Sequence, residues 1–361
     1  MSAAPAPVTR TSDRSPITAG LTLGEANVAH EPPEARGVAR DQVRLLVSRG
    51  DDEPQHARFT DLPALLREGD LLVVNRSATV PAAIDGWLGG ERVVVHFSNE
   101  MPGGLWLVEV RAPLPGGSSA PLSLDAPGRV ELVGGGVVDL LVPYAGSRRL
   151  WFASTDVRDV LAHLRRHGRA IRYSYVWRDW PIDAYQTVFG VEPGSAEMPS
   201  AARPFSPDVV VDLVRRGITI APVVLHTGVS SLEGHEAPYP ERYRVPASTA
   251  TLVNATHGDG GRVIAVGTTV VRALETSTDE HGVMHPSDGW TELVVSPANP
   301  PRAVDGLVTG WHEPESSHLL MLEAIGGATA VRSAYEAALS AGYRWHEFGD
   351  SHLIVPDGLR R

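Results

Sequence analysis

The sequence predicts an α/β protein: a mostly parallel sheet with helices, plus an inserted small antiparallel β-barrel domain. Three observations carry that expectation. Short apolar runs rich in β-branched residues alternate with segments of helical period both before residue 82 and after residue 152, as in a sheet whose strands are joined by helices. Residues 82–152 lose the helical period, and β-type runs at 92–97, 105–110, 129–133, 137–142 and 149–152 alternate with turns rich in Gly, Pro and Ser, the texture of a small barrel or sandwich. Finally, residues 263–266 form a β-branched run closed by Gly267, and helical spacing follows at once. The expected division is a flexible tail at 1–16, an α/β domain at 17–81 and 153–361, and the barrel at 82–152.

In chain order, 40–47 reads as a strand, 60–69 as a short helix stopped by Gly69, and 70–74 as a second strand that leaves through the loop 75–81. After the β region, Asp156 is suited to cap a helix that turns Val157, Val160, Leu161 and Leu164 inward and stops at Gly168. Ser206, Pro207 and Asp208 open the next helix with the cap, first-turn proline and acidic residue that helix starts prefer. Gly217 ends it, and the apolar run 218–225 delivers His226 at the carboxyl end of a buried strand. A helix at 247–257 precedes the strand 263–266. The helix after that strand is capped by Thr268 or Thr269 and buries Val270, Val271 and Leu274, leaving Thr269, Arg272 and Glu275 or Thr276 opposite. A strand at 291–295, a Pro-rich loop to Arg302, helices at 317–325 and 330–341 and a hairpin over 343–355 complete the reading.

Composition excludes several chemistries. With 42% hydrophobic and 21% charged residues in 361, the chain has an ordinary soluble composition and a length that suggests about two domains. No stretch approaches the ~20 apolar residues of a membrane span, and residues 1–16 lack a secretion signal's apolar segment, so a cytoplasmic location and no membrane partner are expected. The absence of cysteine removes disulfides, thiolate nucleophiles and Cys-ligated metals. All 32 basic residues are arginine, which removes a phosphate-loop lysine, a Schiff-base lysine and a lysine base. A net charge of -11 means that a nucleic-acid partner would need a local arginine patch. Arg165, Arg166, Arg169 and Arg172, interleaved with Tyr173, Tyr175 and Trp177, are the candidates for one. A solvated helix face followed by core aromatics fits the same pattern and is the weightier reading in an acidic chain.

Polar side chains gather where predicted strands end: His226, Glu233, His235, Glu241, Arg272, Glu275, His312 and Asp350. His226 is the best candidate for proton transfer, with a purely structural hydrogen bond as the alternative. The helix start at Thr268 and Thr269 offers free N–H groups to an anion. No metal is expected, since the 14 histidines include no His-x-His or His-Glu-x-x-His and Pro314 keeps His312 and His318 off one helix face. No Gly-x-Ser-x-Gly elbow occurs, and Gly134 to Gly136 are a turn with no helix behind it.

Gly267-Thr-Thr-Val-Val-Arg-Ala-Leu-Glu275 and Val304-Asp-Gly-Leu-Val-Thr-Gly-Trp-His-Glu-Pro-Glu-Ser-Ser-His-Leu-Leu-Met-Leu322 resemble the S-adenosylmethionine:tRNA ribosyltransferase-isomerases of queuosine biosynthesis. Further matches run from Arg40 to Val355. They include Phe59-x-Asp-Leu-Pro63, Gly69-Asp-Leu-Leu-Val-Val-Asn75, Tyr185-Gln-Thr-Val188, Leu225-His-Thr-Gly228, Glu241-x-Tyr243 and Tyr343-Arg344 leading to Gly349-Asp350. The resemblance implies an α/β domain with an inserted barrel. It also implies an enzyme that moves the ribosyl part of S-adenosylmethionine onto the aminomethyl group of a 7-deazaguanine in tRNA, forming epoxyqueuosine and releasing adenine and methionine. No cofactor beyond that co-substrate is implied, and a monomer is expected.

On this resemblance His226 is expected as the base that removes the C5′ proton acidified by the sulfonium, with Glu241 as runner-up. His312 and Asp350 are expected to position ribose or adenine. Thr268, Thr269 and Arg272 would hold the methionine carboxylate, and Gly267, Glu275, Tyr185 and Gln186 complete the expected S-adenosylmethionine contacts.

The departures lie in loops. Asn75-Arg-Ser-Ala78 stands for Asn-Asp-Thr-Arg, and Pro199-Ser-Ala-Ala-Arg-Pro-Phe205 for Pro-Thr-Ala-Gly-Leu-His-Phe. Gly228-Val-Ser-Ser-Leu232 stands for Gly-Leu-Gly-Thr-Phe, Pro238-Tyr-Pro240 replaces a Met-His, and Tyr173-Ser-Tyr-Val176 replaces Pro-Pro-Tyr-Ile. They leave open a paralogue with a small-molecule acceptor or a different transfer or elimination, and a non-catalytic adenosyl- or RNA-binding relative.

Overall fold

The computed structural model describes residues 18, 20–229, 239–314, 316 and 318–356; the tail expected at 1–16 lies outside them. The α/β part begins with β1 (Arg44–Arg49), β2 (Gln55–Arg58), α1 (Leu62–Leu65), β3 (Leu71–Asn75) and β4 (Ser77–Thr79). The chain then leaves for β5 (Ala83–Leu88), β6 (Glu91–Met101), β7 (Leu105–Pro113), β8 (Ser119–Pro121), β9 (Arg129–Leu132), β10 (Val137–Pro143) and β11 (Leu150–Thr155). It returns through α2 (Val160–His167), β12 (Glu192–Ser195), α3 (Pro207–Arg215), β13 (Thr219–Leu225), β14 (Glu241–Val245), α4 (Ala247–Gly258), β15 (Val263–Val266) and α5 (Thr268–Thr276). β16 (Ser287–Thr291), β17 (Gly306–Gly310), α6 (His318–Gly326), α7 (Ala328–Ser340) and β18 (Ser351–Val355) follow.

The main sheet has the order β16-β14-β13-β3-β15-β17-β18-β1-β2. β13–β3, β3–β15, β15–β17 and β18–β1 are parallel, whereas β16–β14, β14–β13, β17–β18 and β1–β2 are antiparallel. The sheet is therefore mixed, and the expectation of a mostly parallel one is corrected. The physical reason lies in the strands the apolar pattern could not register. β2 and β16 are polar edge strands, and β14 beside β16 is also largely polar; all three attach by antiparallel pairing, and β17 is bounded by glycines at both ends. The expected hairpin over 343–355 is one strand, β18, inserted antiparallel to β17. The strand expected at 291–295 lies earlier, as β16.

Alternation through the sheet plane builds two cores. Leu71, Val73, Val263 and Ala265 face Val271, Leu274, Leu322, Val331 and Tyr335, while Leu72, Val74, Ile264 and Val266 face Phe59, Phe205, Leu213 and Leu353. That period of two is what fixes strand register when both faces are covered. At the amino-terminal ends of the central strands, buried Asp70 accepts from Arg262 Nε and Nη2 at 2.9 and 2.5 Å and from the Arg67 amide at 2.8 Å.

The second sheet closes on itself. Its order is β11-β10-β9-β5-β6-β7-β8, and β11 also pairs with β7, so six strands form a closed antiparallel barrel with β8 outside the ring. Ile84, Val95, Phe97, Val108, Val130 and Trp151 fill it, with Val160 and Leu164 of α2 packed against them. The cap of α2 is Asp159, whose carboxylate accepts from the Ala162 amide at 2.8 Å. Asp156, the expected cap, instead accepts from the Val137 amide in the barrel at 2.7 Å.

Removing the carboxylate in Asp70→Ala leaves the Arg262 guanidinium buried without its counter-charge. Urea unfolding is expected to register a loss of about 3–5 kcal/mol; a loss near zero would mean that the pair does not seat these strands.

Candidate active site

Where β3 and β13 run out, their backbones diverge and lose ladder partners. The buried Asn75 carboxamide fills the gap, accepting from the Leu225 and Ser77 amides at 3.1 and 3.0 Å and donating to the Leu225 carbonyl at 2.8 Å. This fixes His226 one residue past β13, with its amide on the Arg242 carbonyl at 2.9 Å. Asn99 on the barrel donates to the His226 carbonyl at 3.3 Å, and the neighbouring Ser98 hydroxyl accepts from the Val229 amide at 3.0 Å. The barrel rim is thus seated on the carboxyl edge of the sheet.

The His226 ring lies between that edge and a cleft of about 830 Å³ lined by Asn99, Trp106, Gly194, Arg242, Asp288 and Trp290 among others. A Cβ at Gly194 would stand 2.5 Å from Nδ1, so only glycine lets β12 cross the imidazole. Nδ1 is 2.7 Å from Ser77 Oγ, which is 2.6 Å from Ser195 Oγ. Burial holds the imidazole below its ordinary value, Glu192 opposes this, and Arg242 and Arg244 add to it. These surroundings favour the neutral ring.

The other expected residues divide by what they touch. Glu241 accepts from the Gly228 amide at 3.0 Å and pairs with Arg272. Arg272, only 7% exposed, also donates to the carbonyls of Thr291, Leu293 and Tyr239 at 3.0, 3.2 and 3.3 Å. Glu275 accepts the amides of Arg302, Ala303 and Val304 at 2.8, 3.0 and 3.0 Å and pins the Pro-rich loop. Asp350 accepts the amides of Arg44 and Arg344, both at 2.8 Å, and pairs with the Arg44 guanidinium. Gln186 bonds both backbone groups of Thr79. In this structure these five side chains serve the scaffold. Tyr185 is buried against Phe348.

Nearer the anion-binding expectation, Gly267 at φ +96° starts α5 and donates to the Val308 carbonyl at 2.8 Å. The first turn of α5, at Thr268 and Thr269, has no side-chain cap. His312 follows β17 by two residues; its Nε2 is 3.1 Å from Thr309 Oγ1, its ring stacks on His318 at 4.5 Å, and burial holds it well below the usual imidazole value.

Of the candidate nucleic-acid arginines, Arg165 and Arg166 are exposed on α2. Arg169 pairs with Asp85 at 2.9 Å. Arg172 is buried, donating to the carbonyls of Val176 and Gly116 at 2.8 and 2.6 Å and pairing with Asp179 at 2.7 Å, contacts that clamp the barrel to the segment after α2. Glu233 and His235 lie outside the described residues. Among the described residues no group of three or more His, Cys, Asp or Glu side chains could hold a metal ion, and no helix is long and apolar enough to cross a membrane.

Three groups escaped the sequence reading. Ser77 on β4 and Ser195 on β12 sit behind His226, and a single serine in a strand of three or four residues carries no pattern. A third cluster joins Tyr173 to Glu197 and Tyr175 to Glu347, the latter at 2.7 Å, with His346 stacked on Tyr175 at 3.9 Å. Tyr173 and Tyr175 had a signal, but as aromatics beside arginine it pointed to bases. Burial pushes Glu347 up to about 7, and the Glu197 charge adds to this.

A sequence model of the family described as "Queuosine biosynthesis protein" matches residues 21–354. The S-adenosylmethionine:tRNA ribosyltransferase-isomerases of Acidiphilium cryptum and Moorella thermoacetica are each 34% identical, over 92% of this chain and 96% and 97% of theirs. The crystal structure of the S-adenosylmethionine tRNA ribosyltransferase of Thermotoga maritima is similar over 92% of this chain and 98% of its own, with a TM-score of 0.50 at 26% identity.

The raised Glu347 value has a measurable consequence. Between pH 4.5 and about 7 the folded protein keeps a proton that the unfolded chain has released, so this group's stabilising contribution is full below that window and lost as pH rises through it. Glu347→Gln is expected to gain stability over the parent on going from about pH 5 to about pH 8 in urea unfolding. An equal difference at both pH values would contradict the shift.

Proposed function

Because the chain belongs to the queuosine biosynthesis protein family, we propose that it transfers and isomerises the ribosyl part of S-adenosylmethionine onto the aminomethyl group of 7-aminomethyl-7-deazaguanine in tRNA. Epoxyqueuosine forms, and adenine and methionine leave. The observation that carries this reading is the cleft beside His226, about 830 Å³ in volume and within the ~300–1,000 Å³ usual for small-ligand sites.

A sulfonium draws electron density from the adjacent ribose carbon and acidifies its C5′–H. The departing groups must then be held while polar donors support the charge that develops. His226 is the side chain we assign to the ribose. The uncapped first turn of α5 offers the amides of Thr268 and Thr269 to the methionine carboxylate, a contact that does not call on Arg272. Of the four candidate arginines, Arg165 and Arg166 are the exposed pair we assign to tRNA phosphates. A small-molecule acceptor is the second reading, favoured by the net charge of -11 and by the internal pairing of Arg169 and Arg172.

Purified protein incubated with S-adenosylmethionine, with and without tRNA carrying the aminomethyl base, is expected to release adenine and methionine only when that tRNA is present. Release without tRNA would support the small-molecule reading, and no release under either condition would contradict the proposal. His226→Ala is expected to lower adenine release by about 10²-fold or more; unchanged turnover would remove it from the site.

A further inference from the structure

The side chains behind His226 decide which ring nitrogen carries the proton. Ser195 Oγ accepts the Thr227 amide at 3.1 Å, so the serine's own hydrogen must go elsewhere. The acceptor in reach is Ser77 Oγ at 2.6 Å. Ser77 then holds one hydrogen of its own, and the partner remaining to it is His226 Nδ1 at 2.7 Å. Exposures of 1% for Ser77 and 0% for Ser195 close both hydroxyls off from bulk solvent. Running the chain the other way, with Nδ1–H donating to Ser77 and Ser77 to Ser195, strands the Ser195 hydrogen without an acceptor among the described residues. A buried polar hydrogen left unpaired is disfavoured on the order of tenfold or more.

From this geometry we infer that the chain Thr227 amide, Ser195 and Ser77 fixes His226 as its Nε2–H tautomer, so that the imidazole meets a ligand in the cleft as a hydrogen-bond donor. Nε2 has no partner among the described residues, and the ring borders the cleft. Its complement is an acceptor atom, such as a ribose oxygen or a purine ring nitrogen, and not the C5′–H bond. The expectation that His226 is the base is thereby revised: a nitrogen already carrying hydrogen cannot remove a proton, and accepting one there would first require both serine hydroxyls to turn over. Ser77 and Ser195 are positioning residues. The inference deepens the reading that this cleft takes the nucleoside and rests on it for the ligand, though not for the tautomer.

The test is a long-range ¹H–¹⁵N correlation spectrum of the full chain labelled at its histidine rings, without substrate, with His226 assigned by its disappearance in His226→Gln. The expected native pattern has an unprotonated Nδ1 and a protonated Nε2. Ser77→Ala should mix the two tautomers and Ser195→Ala should weaken the bias, while Ser77→Thr, which keeps the hydroxyl, should restore the native pattern. In the adenine-release assay Ser77→Ala should lower kcat about tenfold or more with little change in KM, with recovery in Ser77→Thr. A protonated Nδ1 in the native protein, or a pattern indifferent to both alanine variants, overturns the inference. Because the spectrum is read without turnover, that failure is distinct from failure of the proposed reaction.

Discussion

The site depends on a single carboxamide. Parallel strands that separate at their carboxyl ends expose backbone groups that water cannot reach, and each one left unpaired carries a cost comparable to a lost hydrogen bond. Asn75, with no exposed surface, pairs both backbone groups of Leu225 and the Ser77 amide at once. It thereby sets the spacing between the β13 end that carries His226 and the segment that carries Ser77. The barrel hangs from the same place, since Asn99 and Ser98 bond the residues just beyond β13. Strand divergence, imidazole position and domain junction are one constraint seen from three sides.

The central strands and most helices were legible because each buried strand is a short apolar run and each helix has one apolar stripe. β15 matches its expected bounds at Val263–Val266, and α3 begins behind its Ser206 cap with the hydroxyl on the Val209 amide. What escaped lacked those signals. β17 carries Gly306, where a Cβ would meet the Ile354 carbonyl at 2.9 Å, and β5 carries Gly86, where a Cβ would meet the Glu131 carbonyl at 2.6 Å. Close approach of backbones demanded glycine there, and glycine reads as a turn. The missed strands β2 and β14, and β17 with its antiparallel partner β18, are what turned a parallel expectation into a mixed sheet.

Within the site, His226 was legible because it ends an apolar run. Arg272 and Glu275 have partners that periodicity could not show. A helical stripe separates core-facing positions from the rest, but α5 is covered on nearly every side, so Thr268, Arg272 and Glu275 are buried along with Val270, Val271 and Leu274. Periodicity cannot tell a side chain that faces a ligand from one that faces a loop. Ser77 and Ser195 lie 118 residues apart and meet only because the barrel insertion returns the chain to β4, where β12 pairs with it.

Departures from the family pattern come with partners. Arg76, standing where the family has an aspartate, pairs with Glu192, which also holds Arg244, at 3.2 and 2.6 Å. Arg203 pairs with Glu34 at 2.9 Å and stacks on Phe348. Both arginines thus find partners away from the Asn75 junction, and the proposed nucleoside chemistry stays with the cleft beside His226. The most direct measurement is a crystal structure of the protein soaked with S-adenosylmethionine. The ribose is expected within hydrogen-bond distance of His226 Nε2, between the Pro102–Gly104 turn and the Asp288–Trp290 edge. A nucleoside bound elsewhere, or none bound at saturating concentration, would contradict it.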